Sequence, residues 1–208
     1  MRQARYDGPA TLARAARQAT RVKAGWPALF ALTDPARTPD RLALARSLPA
    51  GCGLILRHFG DPVIRAEAPR LAELCRSRGV RLLVAADGAL AEAIKADGVH
   101  WPNARLSQAL AWRRRRPGWL ITASAHTESE FRRAGPVADA ILVSSVFASA
   151  SPSAGKPIGP WRASAFARRS GTPVYALGGV DMKTVKRLKG LGFGGIAAIG
   201  GAITEPPV

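Results

Sequence analysis

Three histidines, His58, His100 and His126, are the side chains of this 208-residue chain that change charge most readily near neutral pH. His126 stands in Thr122-Ala123-Ser124-Ala125-His126-Thr127, directly behind a short apolar run. A histidine in that place can exchange a proton with a bound ligand, or it can serve only to cap the helix that follows. His100, in Gly98-Val99-His100-Trp101-Pro102-Asn103, offers a ligand contact or packs as a neutral core histidine. A second chemistry belongs to glycine. Gly178-Gly179 and Gly200-Gly201 each close an apolar run, and backbone without Cβ atoms can turn its N–H groups onto an anion. Taken singly, each pair is also an ordinary tight turn. The polar stretch 144–159 carries Ser149, Ser151 and Lys156, whose hydroxyls and ammonium suit a phosphate; the plain alternative is a surface loop. No cluster of His, Cys, Asp and Glu has the spacing of a metal site. Cys52 and Cys75 are too few for a disulfide framework and read as buried thiols in a reducing cytoplasm.

Positioning these groups requires a scaffold, and its pattern is regular. Runs at 28–33, 53–57, 81–86, 98–100, 119–122, 138–144, 173–177 and 195–200 are short, apolar throughout and bounded by Gly, Pro or polar residues. Such runs suit strands buried on both faces. Helical spacing fills the gaps: after Thr38-Pro39-Asp40, after Asp61-Pro62, and over 88–95, 106–112, 128–134, 161–169 and 182–188. Eight strands alternating with helices predict an α/β chain folded as a single-domain (β/α)₈ TIM barrel. The working groups then lie at the C-terminal strand ends, with a phosphate site after strands seven and eight. The expected organisation is a basic helical extension over 1–26, the barrel over 27–203 and a tail over 204–208. Helical spacing over 9–23 predicts a helix that covers the barrel beside its first and last strands. Pro206-Pro207 cannot lie inside a helix, so the usual final helix is expected to be missing or shortened.

The charge is unusual. Lys and Arg number 31 against 14 Asp and Glu, a formal net charge of +17. Such an excess attracts polyanions without specificity. Most of it is arginine spread along helices, with one run at Arg113-Arg114-Arg115-Arg116. Without aromatic interleaving or a nucleic-acid motif, the run reads as a solvated helix face, and nucleic acid is not an expected partner. No apolar run approaches a membrane span of about 20 residues, so no membrane partner is expected. The first 25 residues contain no unbroken apolar segment of a secretory signal, and the expected location is cytoplasmic.

Leu32-Thr33-Asp34, Ala96-Asp97-Gly98-Val99-His100, Ser124-Ala125-His126, Val146-Phe147 before a Ser-rich loop, and the segments 173–179 and 195–200 occur in one order. As a set they resemble the thiamine phosphate synthase/TenI family of barrels over roughly residues 28–203. The resemblance implies thiazole phosphate chemistry in thiamine biosynthesis, with a small-molecule thiazole phosphate as ligand. It also leaves room for self-association. One branch, the synthases, joins a pyrimidine diphosphate to the thiazole phosphate with Mg²⁺ and releases pyrophosphate. It usually holds the metal with Asn-Asp after strand three and Gly-Gln-x-Asp after Gly-Val-His. Here those places read Ala85-Ala86, with Asp87 one residue on, and Pro102-Asn103-Ala104-Arg105. The synthase's Arg-x-Lys after strand two reads Arg57-His58-Phe59. The other branch, TenI-like thiazole tautomerases, needs a proton-transfer group, a phosphate anchor and no metal. The resemblance to that branch implies His126 as acid/base and Arg57, His100 and Ser124 as substrate contacts. Ser149, Ser151 and Lys156 would close over the ligand, Gly178, Gly179, Gly200 and Gly201 would hold the phosphate, and no cofactor is expected. The alternatives are a synthase with relocated Mg²⁺ ligands and a non-catalytic barrel that binds a phosphate ligand or nucleic acid.

Overall fold

The computed structural model describes residues 8–149 and 155–199. Eight parallel strands close into a barrel in chain order: β1 Leu29–Leu32, β2 Gly53–Leu56, β3 Arg81–Ala85, β4 Gly98–Trp101, β5 Leu120–Ala125, β6 Ala140–Val143, β7 Val174–Ala176 and β8 Gly195–Ile199. β8 pairs with β1, Leu29 opposite Ile196 and Leu32 opposite Ile199, which completes the ring. The helices are α1 Pro9–Ala19, α2 Arg41–Ser47, α3 Pro62–Ser77, α4 Gly88–Ala93, α5 Leu106–Arg115, α6 Glu128–Ala134 and α7 Pro160–Arg169. Asp40, Asp61, Asp87 and Thr127 start α2, α3, α4 and α6 by accepting hydrogen bonds from main-chain N–H groups of the first turn.

Strand residues sort by parity. Phe30, Leu32, Ile55, Leu83, Leu142, Tyr175 and Ala197 form the core inside the ring. Their neighbours Leu29, Ala31, Leu54, Leu56, Val84, Val99 and Ile141 pack outward under the helices. Phe30 and Tyr175 meet edge to face at 5.1 Å inside the barrel. Glycine makes room for both: a Cβ on Gly53 would stand 2.2 Å from the Phe30 ring, and one on Gly195 2.2 Å from Tyr175.

α1 packs against β1, β8 and the 3-10 turn Val185–Leu188, closing the side of the barrel where the first and last strands meet. The helix expected over 182–188 is only that turn. Asp181 Oδ1 accepts from the amides of Lys183 and Thr184 at 2.8 Å each, and Asp181 N donates to Thr184 Oγ1 at 2.9 Å. These local bonds compete with a helix start. Gly190 and Gly192, at φ +77° and +88°, then turn the chain toward β8. The expected absence of a final helix concerns residues 200–208, outside the described residues. No described helix is long and apolar enough to cross a membrane.

Candidate active site at the C-terminal rim

Of the groups singled out in the sequence, those among the described residues lie at or just beyond the C-terminal ends of the strands. His126 follows β5. Thr127 caps α6 by accepting from Glu130 N at 3.2 Å, and the Glu130 carboxylate reaches back to accept from His126 N at 2.6 Å. This reciprocal pair fixes the His126 main chain at the helix entrance. The ring turns the other way, and Nδ1 lies 3.2 Å from the carbonyl of Ser144 and 3.1 Å from its hydroxyl, at the end of β6. A carbonyl oxygen only accepts, so the network assigns the proton to Nδ1 and leaves the Nε2 lone pair on the exposed ring. The main chain of His126 thus belongs to the cap, while its ring faces Ser144. Asn103 braces this corner. Its side-chain amide donates to Glu130 O at 2.9 Å, and its carbonyl oxygen accepts from Arg133 at 2.7 Å. Ser144, Glu130 and Asn103 had no assigned role in the sequence. The Thr127-Glu128-Ser129-Glu130 capping pattern was the one signal that could have marked Glu130.

His100 lies on β4 with its ring inside the barrel mouth, 7% exposed, and Nδ1 sits 2.9 Å from Thr122 Oγ1. Burial, with a smaller push from the Arg57 charge, lowers its pKa to about 4, so the ring is neutral at physiological pH. Ser124 pairs with Leu142 across β5 and β6, which puts it in the inward-facing register.

Arg57 extends from β2 across to β1. Its Nε donates to Thr33 O at 2.5 Å, and Nη2 donates to Asp34 Oδ2 at 2.9 Å. Burial lowers the Arg57 pKa, and the opposing pull of Asp34 does not cancel that. Asp34 is held below the usual carboxylate range: burial works upward, but Arg37 and Arg57 outweigh it.

The rim opposite is built from glycine. Gly178 and Gly179 have φ of +88° and +63°. A Cβ on Gly178 would stand 2.8 Å from Ser145 Cα, and one on Gly179 would stand 2.1 Å from Ala148 O. Val146 N and Phe147 N donate to Leu177 O and Gly178 O, each at 2.9 Å, so the β6 and β7 loops are zipped together beyond their strands. The glycine pair thus has a packing role whatever ligand it meets. Arg187 lies over the Phe147 ring at 5.0 Å, a cation beside this loop that the sequence reading missed. Ser149 is half-buried and Lys156 exposed at the two described ends of the β6 loop. Ser151, Gly200 and Gly201 lie outside the described residues.

Asp87, which follows β3, is a poor seat for a divalent ion. Asp87 Oδ1 caps α4 by accepting from Leu90 N at 2.9 Å, and Oδ2 is paired with Arg65. His58 Nε2 lies 3.4 Å from that same oxygen, while its Nδ1 accepts from Gly60 N at 3.0 Å. Burial lowers the His58 pKa, and the accepting Nδ1 marks the ring as neutral. Arg105 Nη1 stands 3.5 Å from Ala86 O. Among the described residues no three His, Cys, Asp or Glu side chains are grouped to hold a metal ion. A hard cation wants several oxygen ligands, and the carboxylates of Asp34 and Asp87 are already paired with guanidinium groups.

A closed parallel barrel whose polar side chains gather at the C-terminal strand ends is a TIM barrel with an enzyme's distribution of groups. The family model described as thiamine monophosphate synthase matches residues 32–202, and the chain belongs to that family, among the enzymes of thiamine biosynthesis. It is 35% identical over 181 residues to a thiamine-phosphate synthase of Chromobacterium violaceum, covering 83% of this chain and 86% of that one. It is 32% identical over 183 residues to the thiamine biosynthesis bifunctional protein ThiM/ThiE of Symbiobacterium thermophilum, covering 86% of this chain. The match spans only 38% of that bifunctional protein's length. Among solved structures, a thiamine phosphate pyrophosphorylase from Pyrococcus furiosus superposes with a TM-score of 0.69 at 24% identity, over 82% of this chain and 84% of that one; this likeness concerns the fold.

Proposed function

We propose that this barrel binds a thiazole phosphate and catalyses a metal-independent proton transfer of the thiazole tautomerase type, with His126 as acid and base. The observation that carries the reading is the Nδ1 contact of His126 with the Ser144 carbonyl, which leaves Nε2 as the basic nitrogen on the rim. In the reaction Nε2 takes a proton from a carbon of the unaromatised ring. The electron pair released becomes a ring double bond, and the imidazolium returns the proton at the far end of the conjugated system. No atom is gained or lost. The Ser144 carbonyl accepts the Nδ1 proton throughout and stabilises the imidazolium between the two transfers. Arg57 and Ser124 orient the substrate, and Gly178, Gly179, Gly200, Gly201 and the loop bearing Ser149, Ser151 and Lys156 receive the phosphate. The carboxylates Asp34 and Asp87, tied to Arg37, Arg57 and Arg65, support a mechanism that asks no metal of this chain.

His126→Asn is expected to lower turnover of the unaromatised thiazole by about 10²–10⁴-fold while binding of the phosphorylated product survives. Unchanged turnover would remove His126 from the mechanism. A second reading, thiamine phosphate synthesis with Mg²⁺ held elsewhere, is favoured by the names of the relatives. Assaying thiamine phosphate formation with Mg²⁺ and with a chelator separates the two: Mg²⁺-dependent product supports the synthase and sinks the tautomerase reading.

A further inference from the structure

The chain leaves β2 through Arg57, His58, Phe59, Gly60 and Asp61 before Pro62 opens α3. His58 turns aside, buried next to Asp87 at the start of α4. Its main chain and ring brace a tight turn: Asp61 N donates to His58 O at 2.8 Å, and Gly60 N donates to His58 Nδ1 at 3.0 Å. The two residues between, Phe59 and Gly60, have φ of +48° and +87°. A turn with positive φ at both central positions suits Gly, Asn and Asp, and a phenylalanine there is strained. Burial does not compensate, since Phe59 is 73% exposed. The Arg57 guanidinium lies over the Phe59 ring at 5.5 Å, and Arg57 is itself fixed on Thr33 O and Asp34. Arg57 continues the inward side of β2 set by Ile55, and its charge reaches the His100 ring inside the mouth. Phe59 therefore stands at the edge of the mouth, held on a fixed cation with most of its surface open.

We infer that Phe59 is a specificity-determining residue of this site, its ring covering the planar heterocycle of the thiazole phosphate while the glycine loops take the phosphate. The inference rests on the thiazole phosphate reading of the rim. Local strain of this kind persists where a ligand makes use of it, and asparagine or glycine would form the same turn more easily. A heterocycle stacked on Phe59 covers apolar surface that otherwise meets water, and it gives the site a means of telling a ring-bearing phosphate from a ringless one.

Calorimetric titration of the full chain with the aromatic thiazole phosphate, and with glycerol phosphate as a ringless phosphomonoester, tests this role. F59N should weaken thiazole phosphate binding by about three- to tenfold, while any binding of glycerol phosphate stays as in wild type. F59Y keeps the ring and should bind as wild type does. In turnover, F59N should raise KM for the unaromatised thiazole and leave kcat within a few-fold. Asparagine tolerates the positive φ, so F59N should unfold at the same denaturant concentration as wild type or a higher one. A lowered unfolding midpoint would make Phe59 a structural residue and overturn the inference. So would an equal loss for both ligands, or a dimer that F59N dissociates while thiazole phosphate binding stays intact. If wild type and F59N bind the thiazole phosphate equally, this inference alone falls. If wild type binds none, the reading of the whole rim falls with it.

Discussion

The His100 ring touches Thr122 Oγ1 and little water, so a charge placed on it has almost no solvent to spread into. Its pKa falls to about 4, whereas an unfolded chain would protonate it near 6.5. The sign follows from linkage. Above pH 6.5 both states are neutral and nothing is gained; between about 6.5 and 4 the unfolded state takes up a proton that the folded state refuses. Stability is therefore lost as pH falls through that window, by about 3 kcal/mol at most for this group. Urea unfolding of wild type and His100→Gln across the window measures it: the two curves should converge at acid pH and not run parallel. Its ring protons should show no titration step near neutrality. His126, one strand away, has its ring exposed and oriented by the Ser144 carbonyl. Cys52 and Cys75 are pushed up to about 11 and about 12 by burial, with Asp97 adding to the effect on Cys75. Both thiols should resist an aromatic disulfide reagent at mildly alkaline pH in the native protein and react at once in denaturant.

Among the elements, the β6 and β7 loops decide the shape of the rim. Their main chains lie so close at Gly179 that a methyl group would overlap Ala148 O. Gly179→Ala should cost about 1–3 kcal/mol in unfolding free energy, from the positive φ and the overlap together. It should also weaken binding of a phosphorylated ligand, because the β6 loop must move away. Denaturant unfolding and ligand titration on one preparation check both. The strands were legible in the sequence because burial on both faces leaves an uninterrupted apolar run. The glycine pair was legible as a turn or an anion cradle. Its packing against Ser145 and Ala148 was not, since those residues lie more than thirty positions upstream. The helix expected over 182–188 is reduced to a 3-10 turn because the side-chain hydrogen bonds of Asp181, not the apolar spacing, set the local conformation.

Over the whole molecule, the charge separates into paired and unpaired parts. The run Arg113 to Arg116 is largely structural. Arg113 bridges to Asp139 at 2.6 Å, Arg115 and Arg116 bridge to Glu92, and the two latter guanidiniums cover the stacked Trp112 and Trp119 rings. Pairs this exposed contribute little each. The remaining excess repels itself, and moderate salt should raise the melting temperature from its low-salt value by screening that repulsion; a monotonic fall on adding salt would show that the ion pairs dominate instead. Apolar runs, caps and turn residues are local properties, so eight strands and their connecting helices could be counted from the chain, and with them the barrel and the groups able to move protons. Closure of the ring then decided what those groups became. It set Ser144 against His126 across 18 residues, Thr122 against His100 across 22, and Arg57 against Asp34 across 23. Such pairings depend on strand register and on which face of the sheet turns inward around the barrel, and a linear pattern of residue types carries neither.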